Sequence, residues 1–346
     1  MFIADTLGRY NVYKGPAIVV PSLSSGAQFP VNDLLYLIPA LAAVTKNLIF
    51  GVTASVTAAR NHGLTEQIPQ DERYAIAHEY LEVLYKLWEG SFRDGAVLAD
   101  QENTSMFPVR TSVSLLHSAL PFCFRQVSPR RGTRLEGSMA RPSSAGDQAP
   151  EATRGTVDNI RNIAKREGRD PSNIKVIVGI NVLVAATDED AKAKREGYIH
   201  FADDEGALAL FGGWLGVDCP RNSTTSTENL PWTKQRIVEY ISVGGLQAKL
   251  IGSPTTVAEE LEPWVDISGV DGFNLAHSTN PGTFEDIIEF LLPELRRRGL
   301  FRAKVEKEGA TAREMCIVSR RLPDDYPGSQ FKRRAGEEVP QYQRNE

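Results

Sequence analysis

Asp5, Thr53 and Ser55 are polar side chains placed where a binding site is easiest to build, because each ends an apolar run that reads as a buried strand. Asp5 follows Phe2-Ile3-Ala4, and Thr53 and Ser55 close the stretch that begins at Leu48. A hydroxyl both donates and accepts, and a carboxylate accepts on two oxygens. The plainer alternative is that Asp5 caps the following loop and the hydroxyls bond neighbouring backbone. Asn274 stands in the same relation to the run Val270–Ala276, although a turn role fits it as well. No nucleophile is paired with a base. His62, His78 and His277 stand alone, without the spacing of metal ligands. Gly212-Gly213 and Gly244-Gly245 match neither phosphate-binding glycine pattern, and read as turns or as part of a lid on the substrate side.

The elements that position these residues belong to a chain of ordinary globular composition. Of its 346 residues, 41% are hydrophobic and 24% charged, enough for one large α/β domain or two small ones. A net charge of −5 gives no footprint for nucleic acid. Cys123, Cys219 and Cys316 form no C-x-x-C pair, which fits a reducing compartment better than a disulfide framework. The N-terminus reaches Asp5 without a basic stretch, and no apolar run approaches the roughly 20 residues that span a bilayer. A cytoplasmic protein with no membrane or nucleic-acid partner is expected.

Strand-like and helix-like segments alternate, which predicts a parallel sheet with crossover helices. Leu34, Leu35, Ile38, Leu41 and Ala42 form one helical stripe. Residues 71–88 carry a clearer one in Ile76, Tyr80, Val83, Leu84, Leu87 and Trp88. A helix through Ile160, Ile163 and Ala164 should stop at Gly168, and the β-branched run Ile174–Val184 reads as a strand buried on both faces. Ser253-Pro254 opens another helix with a capping serine, followed by a strand near Val270–Ala276 and a helix that ends on Arg296, Arg297 and Arg298 before Gly299. Residues 104–155 differ in kind: their basic residues are all arginines among many Ser, Pro and Gly, and the part from Ser128 to Thr153 reads as a disordered loop. The tail after Phe301 reads as a surface extension.

Together the strings FIADTLG (2–8), SGAQFPVND (25–33), LIFGVTAS (48–55), DERYAIAHEYLEVLYKLWEGSF (71–92), EGALALFGGWLGVD (205–218), GSPTTVAEELEPWVDISGVDGFNLA (252–276) and PGTFEDIIEFLLPELRRRGL (281–300) resemble, in this order, the nitrilotriacetate and dibenzothiophene-sulfone monooxygenase group of the bacterial-luciferase-like superfamily. The resemblance implies an α/β fold of the (β/α)8 TIM-barrel type over residues 1–300. It also implies the oxygenase component of a two-component flavin-dependent monooxygenase. Reduced FMN from a separate NAD(P)H-dependent flavin reductase would then be used with O2 on a small organic substrate, in a protein that can self-associate. A cofactor that carries the hard chemistry accounts for the missing nucleophile–base pair. By the same resemblance Asp5 contacts the flavin ring, Thr53 and Ser55 face it, and Tyr74 touches the cofactor; a core tyrosine is the alternative for Tyr74. Gln70 stands where the family commonly has histidine.

The chain also departs from the pattern. It begins at what would be the second strand, a helix and a strand have no counterpart after Thr57, and residues 104–155 show no resemblance. An incomplete barrel is therefore expected, since a closed barrel needs every strand to avoid raw edges. Two further readings follow: a non-catalytic remnant without flavin, and a hydride-transferring relative on another flavin or deazaflavin.

Overall fold

The computed structural model describes residues 2–3, 12–15, 18–27, 36–52, 70–90, 149–215, 225–227, 230–304 and 324–332, with Lys307, Ala310, Glu314 and Met315 besides. Two short strands, β1 (Phe2–Ile3) and β2 (Gly51–Val52), pair in parallel, with Phe2 opposite Gly51 and Ile3 opposite Val52. Between them lie α1 (Val20–Ser24) and α2 (Leu37–Val44). The apolar stripe of α2 predicts a buried face, yet α2 buries none of its residues. The long helix α3 (Gln70–Gly90) spans the expected region, but Ile76, Tyr80, Val83 and Leu87 remain exposed. Its packing runs instead through Tyr85, whose ring meets that of Tyr326 edge-on.

Helix α4 (Pro150–Arg166) begins inside the stretch whose composition reads as loop. Pro150 sits in the first turn, where a missing N–H costs nothing, and Glu151 faces the positive end of the helix dipole. Thr153 donates its hydroxyl to Ala149 O at 3.1 Å. Val157, Ile160 and Ala164 are buried, and Gly168 takes φ +72° past the helix end, the left-handed turn that glycine permits. Then come β3 (Ile177–Val184), α5 (Asp188–His200), α6 (Asp204–Leu215), the antiparallel pair β4 (Thr225–Thr227) and β5 (Leu230–Trp232), and α7 (Lys234–Ile241). Gly212 and Gly213 lie inside α6 rather than in a turn. The order continues with β6 (Ala248–Gly252), α8 (Pro254–Asp266), β7 (Gly272–Ala276) and α9 (Gly282–Asp286). A π turn over Ile287–Leu291 leads into α10 (Leu292–Arg297). Ser253 caps α8 as predicted, accepting from Thr256 N at 3.3 Å.

Strand β3 is the middle of a parallel sheet ordered β6–β3–β7, so the α/β class with parallel pairing is present. Ile177–Asn181 pair with β7 and Ile180–Val184 with β6. Among the described residues the parallel strands form one group of three and one of two, and these do not close a ring. Alternation sorts the sheet into two faces. Ile180, Val182, Val184 and Leu250 point one way, into a core completed by Val257, Leu261 and Trp264 of α8 and by Ile287 and Leu291. A second core joins Tyr13 to Ala207, Leu208, Ala209 and Phe211 of α6 and to Ile237, Val238 and Ile241 of α7. No helix among the described residues is long and apolar enough to cross a membrane.

Part of the expected surface extension packs. The 3₁₀ turn Pro327–Phe331 lies on α3, and Asp325 accepts from Asp170 N at 2.7 Å. At the other end of the molecule's core, Arg298 ties α10 to α8. Its guanidinium reaches Glu294 at 2.7 Å, Glu262 at 2.9 Å and Glu259 at 3.3 Å, while Arg297 forks onto Glu294 through two bonds of 2.7 Å. Hydrogen bonds from Arg297 and then Arg298 hold the Glu294 carboxyl down to about 2. A depressed carboxylate stabilises the fold above the ordinary carboxylate range and loses that contribution as pH falls towards 2. Glu294→Gln should therefore flatten the fall in stability between about pH 4.5 and 2 while changing its shape little above pH 6, as read by urea denaturation across pH.

Candidate functional site

The sheet face turned away from α8 and α10 is the one that carries polar groups. Asn181 stands on it in register with Lys249 on one side and Ala276 on the other, and Asn274 is opposite Gly179. Asn181 is fully buried, so its carboxamide must be satisfied internally. Its Nδ2 donates to Ala276 O at 3.0 Å, and its Oδ1 accepts from the Ser278 hydroxyl at 3.2 Å. The side chain thereby holds the end of β7 and the start of the following loop. Sequence reading places Asn274 at the end of its strand; it lies within β7 instead, with Leu275 and Ala276 beyond it.

The turn after α7 closes over this face. Gly244 has φ +80°, and a Cβ there would come within 2.4 Å of Asn181 Cγ, so only glycine fits both the dihedral and the space. Gly245, at φ +64°, sits against the Trp214 ring. This glycine pair is a turn, as expected. Lys249 fastens it from below, donating to Gly245 O at 2.9 Å and Gln247 O at 3.2 Å, with its ammonium 3.5 Å from the centroid of the Tyr240 ring. Burial, and then the nearby charge of Arg195, pull the Lys249 amine down to about 8, and burial pushes the Tyr240 phenol up. Gln247 lies against Gly179, and its buried Oε1 has no hydrogen-bond partner among the described residues.

The loop beyond β7 is built as firmly. Thr283 accepts from both Ser278 N and Thr279 N, and Tyr198 on α5 meets the Thr279 hydroxyl at 3.1 Å. Lys194, one turn earlier, pairs with Asp286 at 2.7 Å. Helix α5 thus runs from the end of β6, where Asp188 accepts from Ser253 N at 2.6 Å, to the loop after β7. Loops at the C-terminal edge of parallel strands are where α/β proteins assemble their sites.

Asp5, Thr53 and Ser55 lie outside the described residues. The parallel, in-register pairing of β1 and β2 means that both strands run to the same edge; in sequence Asp5 comes two residues after β1, and Thr53 and Ser55 one and three residues after β2. Tyr74 lies near the start of α3. His277 is exposed and packs beside Phe284, while His62 and the three cysteines lie outside the described residues. Among the described residues no group of His, Cys, Asp or Glu comes together to hold a metal ion. Asn181, Gln247, Lys249 and Tyr240 were not legible as a cluster, although Asn181 is the lone polar side chain in the run Ile177–Val184 and Lys249 the lone charge in Ala248–Gly252.

A family model described as luciferase-like monooxygenase matches residues 47–271. The chain belongs to that family. It is similar to the dimethyl-sulfide monooxygenase of Hyphomicrobium sulfonivorans, 33% identical over 404 positions that cover 96% of this chain and 83% of the relative. An alignment longer than the 346-residue chain includes stretches that only the relative has. Component A of the nitrilotriacetate monooxygenase of Aminobacter aminovorans is 26% identical over 78% of this chain and 67% of its own length. The crystal structure of a long-chain alkane monooxygenase superposes with a TM-score of 0.76 at 32% identity, covering 96% of this chain and 88% of that one. This luciferase-like chain is accordingly a flavin-dependent monooxygenase.

Two measurements test the geometry of the roofing turn. Gly244→Ala should cost roughly 1–3 kcal/mol from the left-handed backbone alone, read as a shift in the urea midpoint. A lysine lowered from 10.5 to about 8 leaves the folded chain binding fewer protons than the unfolded one across that window. Stability should therefore rise with pH between those values, and Lys249→Met should abolish that rise.

Proposed function

We propose that this chain is the oxygenase component of a two-component system, binding reduced FMN made by a separate NAD(P)H-dependent flavin reductase and oxygenating a small organic substrate with O2. The reading is supported by one observation: β1 and β2 pair in parallel and in register, and in sequence Asp5 comes two residues after β1 while Thr53 and Ser55 come one and three residues after β2. In this reading they bond the alternating carbonyl and N–H groups of the flavin ring, with Tyr74 of α3 beside them. The residues present fit such a group. Gln247 offers on the polar face a buried acceptor that has no partner among the described residues, while Lys249 is already engaged by two backbone carbonyls and an aromatic ring.

Reduced flavin, when bound, supplies the two electrons that send one atom of O2 to the substrate and the other to water. The chain's own residues bind, orient and exclude solvent. Asn181 and Thr283 stiffen the loop after β7, and the Gly244-Gly245 turn with Trp214 roofs the polar face against water. The architecture proposed is a (β/α)8-type barrel, shortened internally relative to the longer dimethyl-sulfide enzyme, whose alignment exceeds the length of this chain. Residues 1–300 form the barrel in this reading, interrupted at 104–155. Similarity over 96% of the chain favours an active enzyme over a remnant.

Anaerobic titration of the purified chain with reduced FMN should show saturable binding, and admission of air with a substrate present should consume O2. Asp5→Asn and Tyr74→Phe should each weaken that binding about tenfold, the worth of one hydrogen bond to a ligand. A wild-type chain that takes up no reduced FMN would refute the proposal.

A further inference from the structure

Helix α3 presents a physical problem. Its stripe of Ile76, Tyr80, Val83 and Leu87 is exposed, so the burial that ordinarily docks an amphipathic helix is missing from that side. Among the described elements its main packing is against the 3₁₀ turn Pro327–Phe331, near the C-terminal end of the chain. The contact is close. Tyr85 OH and Tyr326 OH are 3.2 Å apart, and their rings meet edge-on with centroids 6.0 Å apart. Gly328 packs so tightly on Tyr85 that a Cβ would fall 2.6 Å from the ring. Lys86 lies over Phe331 at 5.5 Å, and a Cβ on Gly90 would touch Phe331 O at 3.3 Å.

The same segment is anchored at its other side to the molecule's main core. Asp325 accepts from Asp170 N at 2.7 Å, and the Arg169 guanidinium lies over the Tyr326 ring at 5.1 Å. Asp170 in turn caps the short turn Pro171–Asn173 through Ser172 N at 2.9 Å. That turn joins α4, whose buried Val157 and Ile160 and whose Arg154 and Arg161 bonds to Ile267 O and Gly269 O tie it to α8 and the turn beyond it. A continuous path of contacts therefore runs from the sheet, through α4 and the 169–173 turn, across residues 324–332, to α3. Tyr326 touches both α3, at Tyr85, and the 169–173 turn, at Arg169.

We infer that residues 324–332 act as a clasp that sets the position of α3, and that Tyr326 is a positioning residue for the flavin site at the other end of that helix. Tyr74 and Tyr85 are on one rigid helix, about 16 Å apart at 1.5 Å per residue, so a tilt at the clasped end displaces the Tyr74 end. A small displacement suffices, because a misplacement of about 1 Å can cost up to a hundredfold in a site that depends on geometry. The inference rests on the flavin reading above in placing Tyr74 at the cofactor; the clasp itself does not.

The test uses the full chain with Tyr326→Ala and Tyr326→Phe, measuring hydrogen exchange of α3 peptides and anaerobic affinity for reduced FMN, with Tyr74→Phe as the reference for the site. Tyr326→Ala should speed exchange across α3, leave β3 protected, and weaken reduced-FMN binding roughly ten- to hundredfold. Tyr326→Phe keeps the ring against Tyr85 and Arg169 and should restore most of the affinity, a rescue that general destabilisation would not show. Unchanged exchange of α3 in Tyr326→Ala would overturn the clasp. Faster exchange with unaltered affinity would overturn the positioning role. A wild-type chain that fails to bind reduced FMN would overturn the flavin reading, and a Tyr74→Phe variant that binds it normally would overturn only the placement of Tyr74 at the cofactor. Either outcome removes the positioning role, and the exchange measurement would still decide the clasp.

Discussion

A parallel strand held between two neighbours and buried through its C-terminal part has little solvent to fall back on, and Ile177–Val184 is such a strand: β7 takes Ile177–Asn181, β6 takes Ile180–Val184, and Ile180–Val184 are buried. Its backbone groups are committed to β6 and β7, and its side chains divide between two environments with opposite demands. Ile180, Val182 and Val184 need apolar neighbours and find them in Leu261, Trp264 and Leu291. Asn181, on the reverse side, needs two hydrogen-bond partners and finds them on Ala276 and Ser278. A slip of one residue in register would turn the valines to the polar side and bury the carboxamide among leucines, so both faces enforce the same pairing. The helices on one side and the loops on the other are placed by that register.

The polar face then explains the glycines and the charge beside it. A turn pressed onto a buried asparagine leaves no room for a Cβ, which is why Gly244 occupies a left-handed conformation there. Lys249 enters the same crowded region at the cost of hydration, and two backbone carbonyls and the Tyr240 face offset that cost.

How far this was legible varies from element to element for physical reasons. Helix α4 shows its Val157, Ile160 and Ala164 stripe and its Gly168 stop plainly, because 3.6-residue periodicity and capping are local. Its start at Pro150 was hidden by a composition that reads as loop, which a single Pro–Glu opening turn overrides. The α3 stripe predicts burial, yet Tyr85, outside that stripe, makes the contact, since which side of a helix packs depends on what reaches it. The tail beyond Phe301 reads as surface because its composition says nothing of a tyrosine that would meet another tyrosine far earlier in the chain.

Residue order alone determined the α/β class, the capped helices and the luciferase-like family, because each is written in local periodicity or in strings of adjacent residues. It also singled out Asp5, Thr53, Ser55 and Tyr74, through resemblance rather than through any contact between them. Tertiary structure alone decided that Asn181, Gln247, Lys249 and Gly244 share one face and that Tyr326 closes on Tyr85. Those pairings join positions distant in sequence, and their energy comes from packing and desolvation that exist only once the sheet has formed.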